Sequence, residues 1–131
     1  MPHIVVEYSS NVRERIAPER LVECIHQAGL RTGVFPVGGT RTRASERSCY
    51  RVADGHPDNG FVHVVLRIAH GRDLDTRRRV GEQVFGAVCG YLEALFQGAP
   101  LGISLEIQEI DPNTSWKKNN LHDYVKKRQG A

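Results

Sequence analysis

A strand–helix–strand pattern that occurs twice along the chain is the strongest constraint on its fold. In the first half, the β-branched segment His3–Tyr8 predicts a buried strand, and Pro18 begins an amphipathic helix. An extended polar segment follows at Thr40–Ala44, in which Arg41 and Arg43 share one face. A further short strand is expected at Cys49–Val52. A loop rich in Gly, Pro, Asn and Asp then ends this half.

The second half repeats this organisation about 60 residues later, with different residues. Alternating apolar positions along Phe61–Ala69 predict a strand. Asp73 or Asp75 is suited to capping the next helix, whose apolar stripe runs to about Gln97. A last strand is predicted at Leu101–Ile110, and the polar, basic segment that follows is expected to be a tail without a helix.

Two βαβ units in tandem predict an α+β fold with a four-stranded mixed sheet. Each unit should pair its two strands in parallel through a right-handed crossover, and both helices should lie on one face of the sheet. We expect one domain over residues 1–125, with pseudo-repeats at about 2–58 and 59–110, and a basic tail at 126–131. The strands carry apolar residues on both sides, so a second subunit is expected to cover the other face.

Composition excludes several classes of protein. The chain has 131 residues, of which 40% are hydrophobic and 25% charged, which is typical of one globular domain. No apolar run approaches the roughly 20 residues of a membrane span, and no signal peptide is recognisable, so we expect a cytoplasmic protein without membrane contact. Three cysteines without a CxxC motif indicate no zinc site and no disulfide framework. No phosphate-binding loop is present, so no cofactor is expected.

The net charge of +3 is too small to indicate nucleic-acid binding, but it is compatible with small anionic ligands.

Pro2 is the first candidate for chemistry, because an initiator methionine is usually removed before a small residue such as proline. The exposed secondary amine would have a pKa near 7.7–8.0, and nearby cations or an apolar pocket would lower it. Such an amine can act as a general base at neutral pH. The alternative is that Pro2 is an incidental second residue.

Ordered short motifs favour the catalytic interpretation of Pro2. The segments Pro2–Tyr8, Gly33–Gly39 and Arg41–Ala44 resemble the tautomerase superfamily, and within it the 5-carboxymethyl-2-hydroxymuconate Δ-isomerase family. Further matching stretches follow in the same order, and the resemblance extends to about Tyr124. They are Ala53–Gly55, Phe61–His63, Gly71–Arg72, Val80–Glu82 and Asn119–Asn120. The resemblance implies a duplicated βαβ subunit that assembles as a homotrimer. The segment Ser45–Ser48 departs from the family pattern.

The resemblance also implies roles for individual residues. Pro2 would be the catalytic base, and Arg41 and Arg72 would bind substrate carboxylates. Arginine suits this role because its planar guanidinium matches a carboxylate with two hydrogen bonds. Arg43 shares a face with Arg41 and is a candidate third anchor, with a solvent-exposed surface role as the alternative for each arginine.

The implied activity is a metal-free and cofactor-free isomerisation of a small polycarboxylate. The substrate would be 5-carboxymethyl-2-hydroxymuconate, formed in the meta-cleavage of homoprotocatechuate, and the product its 2-oxo-3-ene isomer. One alternative is another tautomerase, of the phenylpyruvate, 2-hydroxymuconate or haloacrylate type. A second alternative is a non-enzymatic, cytokine-like trimeric binding protein.

Overall fold

Within the described residues, the fold consists of one four-stranded sheet and four helices. The computed structural model describes residues 1–130. The strands are β1 (His3–Ser9), β2 (Arg41–Arg47), β3 (Gly60–Ala69) and β4 (Leu101–Ile110). The helices are α1 (Arg13–Ile16), α2 (Pro18–Arg31), α3 (Leu74–Gly98) and α4 (Leu121–Arg128). Short 3₁₀ turns occupy Ser10–Val12, Val37–Gly39 and Pro112–Thr114.

The strand order confirms the predicted pair of βαβ units. The order across the sheet is β2-β1-β3-β4. Strands β1 and β2 are parallel, β3 and β4 are parallel, and the two units meet through the antiparallel pair of β1 and β3. The sheet is therefore mixed, as the sequence predicts, and the strand at which the chain begins is central rather than at an edge.

The hydrophobic core lies between one face of the sheet and helices α2 and α3. Strand residues at alternate positions face the helices and are almost completely buried: Ile4, Val6, Val62, Val64, Leu66 and Ile68. The helices contribute Leu21, Ile25, Val80, Val84, Val88 and Leu92. The Tyr91 hydroxyl donates a hydrogen bond to the Ile16 carbonyl at 2.7 Å, which ties α3 to the end of α1. The alternation seen in the sequence therefore corresponds to burial on one face.

The helix boundaries follow local chemistry. The Asp73 carboxylate accepts a hydrogen bond from the Thr76 amide at 2.8 Å and so caps the N-terminus of α3. The same bond lowers the pKa of Asp73. Pro18 occupies the first turn of α2, where a missing N–H costs nothing. Gly33, with φ of +76°, lies just after the end of α2 and adopts the left-handed conformation that glycine allows.

The expected strand at Cys49–Val52 is wrong. Strand β2 ends at Arg47, where its partner β1 ends at Ser9. Beyond this point β1 offers no further backbone groups to pair with, so Cys49–Val52 is irregular backbone. Residues that favour extended backbone do not form a strand unless a neighbouring strand is available for backbone hydrogen bonds.

The expectation of a C-terminal tail without a helix is also wrong, because α4 occupies residues 121–128. The Asn119 side chain fixes this segment: its Nδ2 donates to the Gly38 carbonyl at 3.0 Å, and its Oδ1 accepts from the Leu121 amide at 3.0 Å. Lys126–Arg128, assigned to the tail by the sequence, continue the helix. No helix within residues 1–130 is both long and apolar enough to cross a membrane.

Helix α4 packs directly on the backbone of Gly38, and this contact gives a testable consequence. A Cβ atom at Gly38 would lie 2.8 Å from both the backbone nitrogen and the Cα of His122, closer than such atoms approach. We expect Gly38→Ala to displace α4 and to lower the free energy of unfolding by about 1–3 kcal/mol. Chemical denaturation measures the change. Gly86→Ala is the control, because Gly86 lies in α3 with nothing within 4 Å, and alanine there should stabilise the helix by about 0.5–1 kcal/mol. Equal effects of the two substitutions would contradict this packing.

Candidate active site

The N-terminus is held in the body of the protein. Pro2 is buried, and its carbonyl accepts a hydrogen bond from the Arg41 amide at 3.1 Å. Gly39 is also buried beside it, and a Cβ atom there would lie 3.7 Å from Pro2 Cδ. With Met1 attached, the Pro2 nitrogen is an amide nitrogen without basic character. Removal of Met1 would leave a secondary amine at this fixed position.

Arg41 lies next to the N-terminal residues, as the sequence analysis expects of a residue that acts with Pro2. Its Nη1 donates to the Gly39 carbonyl at 3.2 Å and to the Met1 sulfur Sδ at 3.0 Å. The strand register places Arg41 opposite His3 in the parallel ladder. Its guanidinium therefore reaches back along the start of β1 toward the residue that precedes Pro2.

Arg72 is anchored in the loop between β3 and α3. Its Nη1 donates to the Ala69 carbonyl and its Nη2 to the Val34 carbonyl, each at 3.3 Å. The guanidinium carbon also lies 5.5 Å from the centroid of the buried Phe35 ring, within cation–π range. These contacts hold the cation without neutralising it, because carbonyl oxygens carry no net charge.

The electrostatic environment of the N-terminus favours an uncharged amine. The pKa of the Met1 α-amino group is lowered from 8.0, first by burial and then by the charges of Lys117, Arg41 and Arg72. Within residues 1–130, none of these three cations forms an ion pair with a carboxylate. Their positive charge is therefore available to an anion that approaches the N-terminus.

A cleft of about 420 Å³ opens beside Met1. We call it the N-terminal cleft, and its lining residues are Met1, His3, Arg43, Arg67, Ala69, His70, Ile110, Pro112, Ser115, Trp116 and Lys117. The lining contains three permanent cations and no acidic residue. A cleft with this composition attracts anions and gives them no carboxylate to repel them.

Arg43 forms part of this lining through a contact with His3. Its Nη1 lies 3.1 Å from His3 Nδ1, so the guanidinium donates to an imidazole nitrogen that must be unprotonated. The pKa of His3 is lowered from 6.5, first by burial and then by Arg43, Arg41, the α-amino group and Arg67. His3 is therefore a neutral acceptor that positions Arg43.

The structure groups the predicted site residues in part. Pro2 and Arg41 are adjacent, and Arg43 lines the N-terminal cleft, whereas Arg41 and Arg72 are not among its lining residues. Sequence analysis missed Arg67 and Lys117. Arg67 pairs with His3 in the β1–β3 register, and its alternation with His63 and Val65 was a usable signal. Lys117 had no such signal, because its position depends on how the C-terminal segment docks.

This arrangement is suited to proton transfer on an anionic molecule. An amine with a lowered pKa can accept a proton near neutral pH, and unpaired cations can hold carboxylates and stabilise an enolate oxygen. Within residues 1–130, no group of three or more His, Cys, Asp and Glu side chains is arranged to hold a metal ion.

Comparisons with known proteins agree with this chemistry. The family model described as 5-carboxymethyl-2-hydroxymuconate isomerase matches residues 2–125. The 5-carboxymethyl-2-hydroxymuconate Delta-isomerase of Escherichia coli is 36% identical over 126 residues, which cover 96% of this chain and 100% of that protein.

Two solved structures extend the agreement to the fold. The crystal structure of a 5-carboxymethyl-2-hydroxymuconate isomerase from Deinococcus radiodurans R1 superposes with a TM-score of 0.87 at 36% identity, covering 95% of this chain and 93% of that one. A second crystal structure, of a 5-carboxymethyl-2-hydroxymuconate delta-isomerase, gives a TM-score of 0.88 at 30% identity with the same coverage. The match of the family model to nearly the whole chain, together with these relatives, shows that this chain belongs to the 5-carboxymethyl-2-hydroxymuconate isomerase family.

Proposed function

We propose that this protein converts 5-carboxymethyl-2-hydroxymuconate to its 2-oxo-3-ene isomer in the meta-cleavage degradation of homoprotocatechuate, with the Pro2 nitrogen as general base. Family membership supports the reaction. The observation that carries the mechanism is the position of the N-terminus: Pro2 is buried at the start of a central strand, beside a cleft whose lining bears cations and no acid. The proposal requires that Met1 be removed.

The first step is proton transfer from the 2-hydroxyl group of the substrate to the neutral Pro2 nitrogen. The O–H bond breaks, the nitrogen lone pair takes the proton, and a dienolate with charge on oxygen remains. Cations near the nitrogen stabilise this dienolate more than the neutral enol, which is the condition for lowering the barrier. In the second step the prolinium N–H bond breaks, and its proton forms a C–H bond at the far carbon of the diene. The product is the 2-oxo-3-ene isomer, and Pro2 is neutral again.

Arg41 and Arg72 bind substrate carboxylates in this proposal, and Arg43 is the third anchor. Arg41 is supported by the hydrogen bond of its amide to the Pro2 carbonyl and by that of its guanidinium to the Gly39 carbonyl, which place it beside the base. Arg72 uses two of its N–H groups on carbonyls, and its remaining donors are free for a carboxylate. Correct placement of substrate relative to the base is worth several kcal/mol of activation free energy.

The base assignment is tested by Pro2→Ala. We expect kcat/KM for 5-carboxymethyl-2-hydroxymuconate to fall about hundredfold, the scale on which a positioned general base contributes. Steady-state turnover measures this, with Pro57→Ala in the exposed loop as the matched control. Intact-mass spectrometry of the active protein should show a chain that lacks Met1. Full turnover by a chain that retains Met1 would refute the assignment.

The charge beside the base is tested by Arg41→Gln. Loss of a charge-assisted hydrogen bond should lower kcat/KM by roughly tenfold to hundredfold. Removing a nearby cation also stabilises the protonated amine, so its pKa rises and the acidic limb of the pH profile of kcat/KM moves to higher pH. Arg31→Gln, an exposed arginine in α2, is the control. An acidic limb that stays in place would show that Arg41 does not act on the base.

We place this activity in a homotrimer. Strand β4 is an edge strand, and a groove of about 550 Å³ between α3 and β4 presents the apolar side chains of Leu74, Phe85, Leu105 and Ile107. Apolar surface of this kind beside an unpaired strand edge is typical of a subunit interface.

Sedimentation equilibrium tests the assembly. We expect a mass three times the 14.7 kDa of the chain, and a lower mass for Phe85→Lys, which places a charge in the groove. Phe96→Lys is the control, because Phe96 is exposed outside the groove. A monomeric wild-type protein at micromolar concentration would contradict the proposed assembly.

A further inference from the structure

We propose that Lys117 is a specificity-determining residue that binds the carboxylate of the substrate's carboxymethyl arm. This inference rests on the proposed function and extends it to the C-terminal segment. The substrate named above carries three carboxylates, two from the muconate chain and one from the arm. Arg41, Arg72 and Arg43 anchor carboxylates in the proposed function. Because a carboxylate accepts more than one hydrogen bond, Lys117 can bind the arm's carboxylate together with Arg43, which lines the same cleft.

The segment that carries Lys117 is held against the site by contacts of its own. Asn119 binds the Gly38 carbonyl, and the backbone of His122 packs on Gly38, next to the Gly39 that contacts Pro2. Trp116 and Lys117 come just before this anchor and line the N-terminal cleft. Trp116 and Lys117 belong to neither a helix nor a strand, and the contacts of the residues that follow hold them beside the N-terminal cleft.

Lys117 and Arg67 are the two cations of this cleft lining that form no side-chain hydrogen bond and no ion pair within residues 1–130. Arg43 is engaged with His3 by a hydrogen bond, whereas the Lys117 ammonium forms no hydrogen bond and no ion pair within residues 1–130. Met1 and Lys117 line the same cleft, and Lys117, unlike Arg67, is among the charges that lower the pKa of the Met1 α-amino group. An ammonium with three unused donors in the cleft that Met1 and His3 line fits one more carboxylate.

Trp116 provides a direct signal for binding at this position. It is the one tryptophan of the chain, and its side chain is 88% exposed in the cleft lining next to Lys117. A ligand carboxylate on Lys117 should therefore change the tryptophan fluorescence of the protein, independently of any turnover.

The test compares Lys117→Gln with Lys118→Gln, which makes the same change of charge at an exposed neighbour outside the cleft lining. For 5-carboxymethyl-2-hydroxymuconate, we expect Lys117→Gln to raise KM about tenfold and to leave kcat within about twofold, the effect of losing one charge-assisted hydrogen bond. For 2-hydroxymuconate, which lacks the arm, KM should not change. Lys118→Gln should leave both KM values unchanged, and Lys117→Arg should restore most of the loss.

A parallel fluorescence titration separates this inference from the proposed function. The wild-type protein should bind propane-1,2,3-tricarboxylate more tightly than glutarate, and Lys117→Gln should abolish that preference. An equal rise of KM for both substrates, or a preference that survives in Lys117→Gln, overturns the role of Lys117. Absence of turnover by the wild-type protein with either substrate overturns the proposed function, and the titration still decides the role of Lys117.

Discussion

The site depends on the backbone hydrogen bond that joins the Arg41 amide to the Pro2 carbonyl. Chain termini are usually mobile, but β1 has a partner on each side, and this bond starts its parallel ladder with β2 at the carbonyl of Pro2, which becomes the N-terminal residue when Met1 is removed. The same bond fixes the backbone of Arg41, so one ladder positions both the proposed base and this cation. Gly39 has no side chain, which lets its backbone lie close to Pro2. Helix α4 packs on the neighbouring Gly38.

One distribution of charge serves two requirements of the proposed chemistry. A base that works near neutral pH must lose its proton easily, and at this end of the chain burial together with nearby cations lowers the pKa of the Met1 α-amino group. A polycarboxylate must also be attracted, and the same unpaired cations attract it. A carboxylate in the cleft lining would work against both, by raising the pKa of the amine and repelling the ligand. The acid-free lining is therefore the expected composition for a site of this type.

The sequence predicts those parts of the molecule that local periodicity determines. Strand β4 has the predicted bounds, and the cap of α3 is Asp73, one of the two residues that the sequence offers, because both signals lie within the segment itself. The strand expected at Cys49–Val52 fails because strand formation depends on a partner, and β1 has already ended. Helix α4 and Lys117 were not predictable as parts of the site, because long-range contacts of Asn119 and His122 with Gly38 bring them there. Pro2 is a candidate because of the chemistry of an N-terminal amine, and Arg43 because it shares a face with Arg41. The roles proposed for Pro2, Arg41 and Arg72 come from the family resemblance, and spacing alone would not have assigned them.

The duplicated architecture also explains why only one of the two halves provides a candidate base. The antiparallel arrangement of β1 and β3 places their first residues at opposite ends of the sheet. At the start of β3, the Gly60 amide donates a hydrogen bond to the Pro100 carbonyl at 3.0 Å. Gly60 also packs so closely against Val12 and Ser9 that a Cβ atom would not fit there. That strand start is inside the chain, so its nitrogen is always an amide. Duplication therefore supplies two equivalent scaffolds, but a basic backbone nitrogen can arise only where the first strand meets a free terminus. The second half is left to provide Arg72, the cleft wall and the edge strand of the sheet.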